Sequence, residues 1–191
     1  MHTRVLILIT LIVWMIIGKM AECNAQMRVS LYAGNIQVDG MSYSHDEKKF
    51  KPLTDSLDNR VKIYPQDTTA LFDRAVLYLY FNDETAKPYQ QTKGALENLE
   101  KGLELAQHAL DLKMNDLKLK VLIASLYSQL AYRFTNDQSW QYNTAEIANR
   151  RKQFDNYKAL SNQLYDELEK IDKNNAWSYE RLKVKSNYPV K

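Results

Sequence analysis

Cysteine and glycine are scarce in this sequence, and both shortages limit the chemistry available to it. The only cysteine is Cys23, close to the N-terminus, so the chain after it can hold neither an internal disulfide nor a thiolate metal site. None of the five glycines belongs to a glycine-rich loop before a Lys-Ser or Lys-Thr pair, which argues against a phosphate-binding P-loop. The net charge is only +3, so a nucleic-acid-binding surface is not predicted.

The longest apolar run lies at the N-terminus and has the pattern of a secretory signal peptide. Residues 5–17 are apolar apart from one threonine, and Arg4 precedes them. The run is shorter than the roughly 20 residues that a membrane-spanning helix needs, and Cys23 and Ala25 offer small side chains to a leader peptidase. We therefore predict a signal peptide over residues 1–25 and an exported protein, periplasmic or secreted. An uncleaved anchor is the alternative, and lipidation at Cys23 is disfavoured by the carboxylate of Glu22.

The remaining chain reads as a short irregular segment followed by helices. Residues 26–45 have no helical period, and Gly34-Asn35 allows either a small hairpin or a loosely ordered spacer. Across residues 46–191, apolar side chains recur every three or four positions, which predicts six helices and an all-α fold. Asp67 and Thr92 are predicted N-caps. The predicted breaks lie at Pro65-Gln66-Asp67, near Pro88, at Asn115-Asp116, at Asn136-Asp137 and at Lys173-Asn174-Asn175.

Two of these helix pairs resemble tetratricopeptide (TPR) repeats, in which large side chains of one helix pack on small-large-small positions of the next. The first pair reads Phe72-x-x-Ala75-Val76-x-x-Leu79 and Ala95-x-x-x-Leu99-x-x-Gly102, and the second reads Leu119-x-x-Leu122-Ile123-x-x-Leu126 and Ser161-x-x-x-Tyr165-x-x-Leu168. The resemblance implies antiparallel helix pairs stacked as a short TPR-like α-solenoid over residues 46–191. A generic helical bundle would satisfy the same periodicities.

The resemblance also implies a binding surface, because the first helix of each TPR pair lines a concave groove. Its register places seven residues there: Asp73, Leu77, Tyr80, Lys120, Tyr127, Trp177 and Glu180. Tyrosine and tryptophan supply many anchors of protein interfaces, and tyrosine is abundant here, with 13 copies. We therefore predict a non-enzymatic scaffold that binds another protein or a peptide.

The sequence leaves two other classes of function open. A glycan or small-ligand binding protein could stack Trp140 or Trp177 on sugar faces. A hydrolase would need paired carboxylates, and two groups of acidic residues offer them: Glu97, Glu100 and Glu104, and Asp166, Glu167 and Glu169.

The sequence shows no catalytic nucleophile paired with a general base, so an enzyme is not predicted. The two histidines after the leader, His45 and His108, have no metal-ligand spacing, so we predict no metal and no cofactor. His45 is expected to cap a helix and His108 to be solvated.

Overall fold

The computed structural model describes residues 27–41, 50–83, 94–135 and 139–189. A two-stranded antiparallel hairpin comes first and six α-helices follow it. The elements are β1 (Val29–Tyr32), β2 (Asn35–Val38), α1 (Lys51–Ile63), α2 (Thr68–Asp83), α3 (Ala95–Asp111), α4 (Leu117–Tyr132), α5 (Thr144–Ile171) and α6 (Ala176–Leu182). Helices account for 73% of the described residues, which confirms the all-α prediction. Among these residues, no helix combines the length and apolar character that crossing a membrane requires.

Side-chain caps define the start of three helices. The Asp67 carboxylate accepts a hydrogen bond of 3.1 Å from the Ala70 N–H, which confirms the predicted cap of α2. At α4, Asp116 accepts from the Lys118 N–H at 2.8 Å. At α5, Asn143 forms a capping box with a glutamate three residues later.

Three other helix boundaries are set by backbone conformation without a side-chain cap. The predicted cap of α3, Thr92, lies outside the described residues. The helix itself follows Gly94, whose φ of 87° is left-handed and which makes no side-chain cap. α3 ends at Asp111, before the predicted break at Asn115-Asp116, and Lys113 has a φ of 68°. The last helix ends at Leu182, because the backbone is extended at Lys183, with φ −59° and ψ 140°.

Consecutive helices pack on one another, so the fold consists of antiparallel helix pairs around one main core. α2 and α4 are buried on most sides, as the continuous apolar character of their sequences predicts. Gly102 of α3 allows close approach, because a Cβ there would lie 2.9 Å from Tyr78 Cβ and 3.2 Å from Leu126 Cδ2. On α5, the small residue Ser161 is fully buried and its hydroxyl donates to the Ala124 carbonyl at 3.0 Å.

Residues 29–38 form a hairpin, one of the two alternatives for this segment, and the hairpin belongs to the helical domain. Its turn is at Ala33-Gly34, where both residues have positive φ, one position earlier than Gly34-Asn35. Ile36 and Val38 of β2 enter the main core, and β2 packs against α4. The turn meets α6, because a Cβ on Gly34 would lie 3.0 Å from the Tyr179 ring.

Candidate functional site

An open groove lies along the outer face of α3. It has a volume of about 440 Å³, and we call it the acidic groove. Its lining residues are Glu100, Leu103, Glu104, Gln107, His108 and Asp111 of α3, together with Tyr127 of α4.

The sequence of α3 explains why these side chains face outward. The opposite side of the helix carries small or apolar residues that are all buried: Ala95, Leu99, Gly102, Ala106 and Ala109. This row docks α3 between α2 and α4, with Gly102 at the closest point. The polar residues between these positions are therefore displayed as a continuous wall.

One aromatic ring, Tyr127, lines the acidic groove, and a second, Tyr157, lies next to it. Tyr127 is half-buried, and burial raises the pKa of its phenol. Its ring lies 6.2 Å from the ring of Tyr157 on α5, centroid to centroid. The Tyr157 hydroxyl donates to Glu100 Oε1 at 3.4 Å, and burial together with this carboxylate raises the pKa of Tyr157. Tyr157 thus links α5 to α3 at one end of the acidic groove.

Within the described ranges, no cationic side chain forms an ion pair with the carboxylates of this wall. Glu104 and Asp111 are exposed and form no ion pair with another described residue, and Glu100 accepts a hydrogen bond from the Tyr157 phenol. Three carboxylates beside a half-buried tyrosine ring attract a cationic side chain, since ion pairing and the ring face act on the same group. His108, expected to be solvated, is exposed and forms part of this wall.

Two of the seven predicted binding residues are inaccessible, so their placement on an open surface was wrong. Leu77 is fully buried in the main core, since α2 is covered on nearly every side. Asp73 is 6% exposed. Burial raises its pKa to about 6, although the positive charges of Lys118 and Arg60 act in the opposite direction.

The other five predicted residues are spread over three helices, α2, α4 and α6. Tyr80, on α2, is partly buried and packs against the main core. Lys120 is half-buried and lies seven residues before Tyr127, two turns along the same face of α4. Trp177 and Glu180 are exposed on α6, where the Arg181 guanidinium lies 4.5 Å from the Trp177 ring. Only Tyr127 of the seven lines the acidic groove.

The features behind the alternative functions are also dispersed. Trp140 and Trp177 are 81% and 71% exposed and neither lines the acidic groove. Asp166 and Glu169 both contact the Lys183 ammonium, at 2.7 and 2.8 Å. His45 lies outside the described residues, and within the described ranges no group of three or more His, Cys, Asp or Glu side chains could hold a metal ion.

Sequence reasoning noticed Glu100 and Glu104 only as possible acid-base residues and missed Leu103, Gln107 and Asp111. The available signal was the helical spacing of Glu100, Glu104, His108 and Asp111, which puts all four on one face. Comparison of the chain with known proteins gives no further guide to function, because the chain matches no protein-family model, no curated protein and no solved structure.

Proposed function

We propose that this chain is a non-enzymatic binding protein, and that its acidic groove receives a basic segment of a partner protein or peptide. The observation that carries the proposal is that three carboxylates of α3, none of them in an ion pair with another described residue, line one groove with the half-buried ring of Tyr127. A lysine or arginine side chain can lay its aliphatic stem on Leu103 and Tyr127 while its charge meets Glu104 or Asp111.

The scaffold in this proposal is a short TPR-like stack of helix pairs in an exported protein. Small residues at the closest helix contacts, Gly102 on α3 and Ser161 on α5, support the stacking. The proposed binding surface differs from the one that the resemblance implied. Tyr127 lines the acidic groove with residues of α3, whereas Asp73 is buried. The leader, residues 1–25, lies outside the described residues, so export rests on its sequence pattern.

Selection from a random peptide display library tests the proposed specificity. We expect the purified mature chain to enrich peptides rich in lysine and arginine, and the Glu104→Lys variant to lose that enrichment. Asp155→Lys on α5 is the matched control, because Asp155 is an exposed carboxylate that does not line the acidic groove. Equal enrichment by both variants, or peptides without basic residues, would refute the proposal.

A further inference from the structure

The segment after α6 binds α5 as an extended peptide would. We call residues 183–188 the tail, and residues 184–188 contain neither helix nor strand. The Val184 N–H donates to Asn162 Oδ1 at 2.8 Å, and Asn162 Nδ2 donates to the Val184 carbonyl at 3.1 Å. One side-chain amide therefore satisfies both backbone groups of a tail residue, as a neighbouring β-strand would.

Further contacts hold the tail on either side of this amide. The Lys183 ammonium contacts the carboxylates of Asp166, Glu169 and Glu180, and only 16% of the Lys183 side chain is exposed. These three carboxylates raise the pKa of Lys183 and keep it charged. The three carboxylates together surround one ammonium group.

The distal half of the tail is held by one lysine and one aromatic pair. Lys158 Nζ donates to the Ser186 carbonyl at 2.7 Å. The Tyr188 ring lies 5.9 Å from the ring of Phe154, whose side chain is fully buried in a small cluster that Val184 also joins. Lys185, Ser186 and Asn187 are exposed, and Asn187 Oδ1 accepts a second hydrogen bond from Lys158 Nζ at 3.3 Å.

We propose that this face of α5 is a binding site for an extended segment of a partner protein, and that the tail occupies it in the free chain. The recognised pattern is a lysine followed five residues later by an aromatic residue, with extended backbone between them. The tail is covalently attached and so has a high local concentration, which a partner must overcome. This site deepens the proposed function, peptide binding, but uses a different face from the acidic groove.

Releasing the tail by one substitution exposes the site in the full chain. Val184→Pro removes the N–H that donates to Asn162, and Lys183 already has the backbone conformation that a residue before proline prefers. The probe is a fluorescein-labelled peptide with the sequence of residues 182–191. We expect its Kd, measured by anisotropy, to be at least tenfold lower for the Val184→Pro chain than for the wild-type chain.

Two matched pairs test whether the peptide binds as the tail does. Adding Asn162→Leu to the Val184→Pro chain should weaken peptide binding at least tenfold, whereas adding Glu104→Lys in the acidic groove should change it less than threefold. In the peptide, K183A should lose at least tenfold in affinity, whereas K185A should be nearly unchanged, because the 3.6 Å ion pair of Lys185 with Glu180 is solvent-exposed. Circular dichroism of each chain checks that its helices remain.

Three results would overturn the proposal. The first is that the peptide fails to bind the Val184→Pro chain. The second is binding that Asn162→Leu leaves unchanged. The third is a wild-type dimer in sedimentation that Lys183→Ala dissolves, which would mean that the tail docks on a second copy. None of these results would affect the acidic groove, so the two proposals fail separately.

Discussion

Replacing Gly102 with alanine should destabilise the protein, although alanine is the better helix former. Gly102 lies in the interior of α3, where helix propensity alone would gain about 1 kcal/mol from the change. The new Cβ would lie 2.9 Å from Tyr78 Cβ, 3.2 Å from Leu126 Cδ2 and 3.5 Å from the Ala75 carbonyl oxygen. Tyr78 Cβ is fixed to the backbone of α2, so α3 must move away from α2 to relieve the contact.

The balance of these two effects sets the expected magnitude. Inserting a methyl group into a well-packed helix contact costs roughly 1 to 3 kcal/mol, which exceeds the propensity gain of about 1 kcal/mol. We expect Gly102→Ala to lower the free energy of unfolding by about 1 kcal/mol. That loss corresponds to a fall of roughly 2 to 4 °C in Tm for a domain of this size. Gly102→Leu should cost several times more.

Urea unfolding followed by circular dichroism measures the difference. Lys101→Gly, at the exposed neighbouring position of α3, reports the propensity effect without a packing change and should cost about 1 kcal/mol. A Gly102→Ala variant that is more stable than the wild type by the same amount would refute the close packing of α3 against α2 and α4.

Three further predictions concern single side chains. Asp73→Asn should stabilise the chain by up to about 2 to 3 kcal/mol at pH 7.5 and have little effect at pH 4. The folded pKa of about 6 exceeds the ordinary carboxyl pKa of 3.8, so ionising this buried acid costs stability as pH rises through that window; a pH-independent shift in Tm would contradict this. Tyr179→Phe should cost about 1 to 2 kcal/mol in urea unfolding, because the hydroxyl of this fully buried tyrosine donates to Asp172 at 2.9 Å, and an unchanged midpoint would show that the bond contributes nothing. Trp177→Ala should destabilise the protein less than Tyr179→Phe does, since the ring is 71% exposed, and a large fall in Tm would show that the ring is structural.

Local signals in the sequence were enough to predict the helices. Proline and Asp67 mark the junction between α1 and α2 because both act within one turn of the chain. Asn115-Asp116 and residues 173–175 mark later junctions for the same reason. The hairpin could not be separated from a spacer, because its order depends on Ile36 and Val38 reaching a core formed by distant helices.

The candidate site was harder to predict because it depends on how helices face one another. Asp73 and Leu77 were assigned to an exposed face by a repeat register, but α2 is enclosed by its neighbours and both side chains are buried. Tyr127 is the one predicted binding residue that lines the acidic groove, and its neighbours on α3 follow from the packing around Gly102. No sequence pattern indicates the two hydrogen bonds between the Asn162 amide and Val184 of the tail.

The most direct test of the central claim is a titration of the ¹⁵N-labelled mature chain with a short lysine peptide, followed by amide chemical shifts. The account predicts that the shifts which change are centred on residues 100–111 of α3 and on Tyr127, and that Glu104→Lys abolishes them while Asp155→Lys does not. Shift changes confined to other faces of the protein, or none at millimolar peptide, would contradict the assignment of the acidic groove as the binding site.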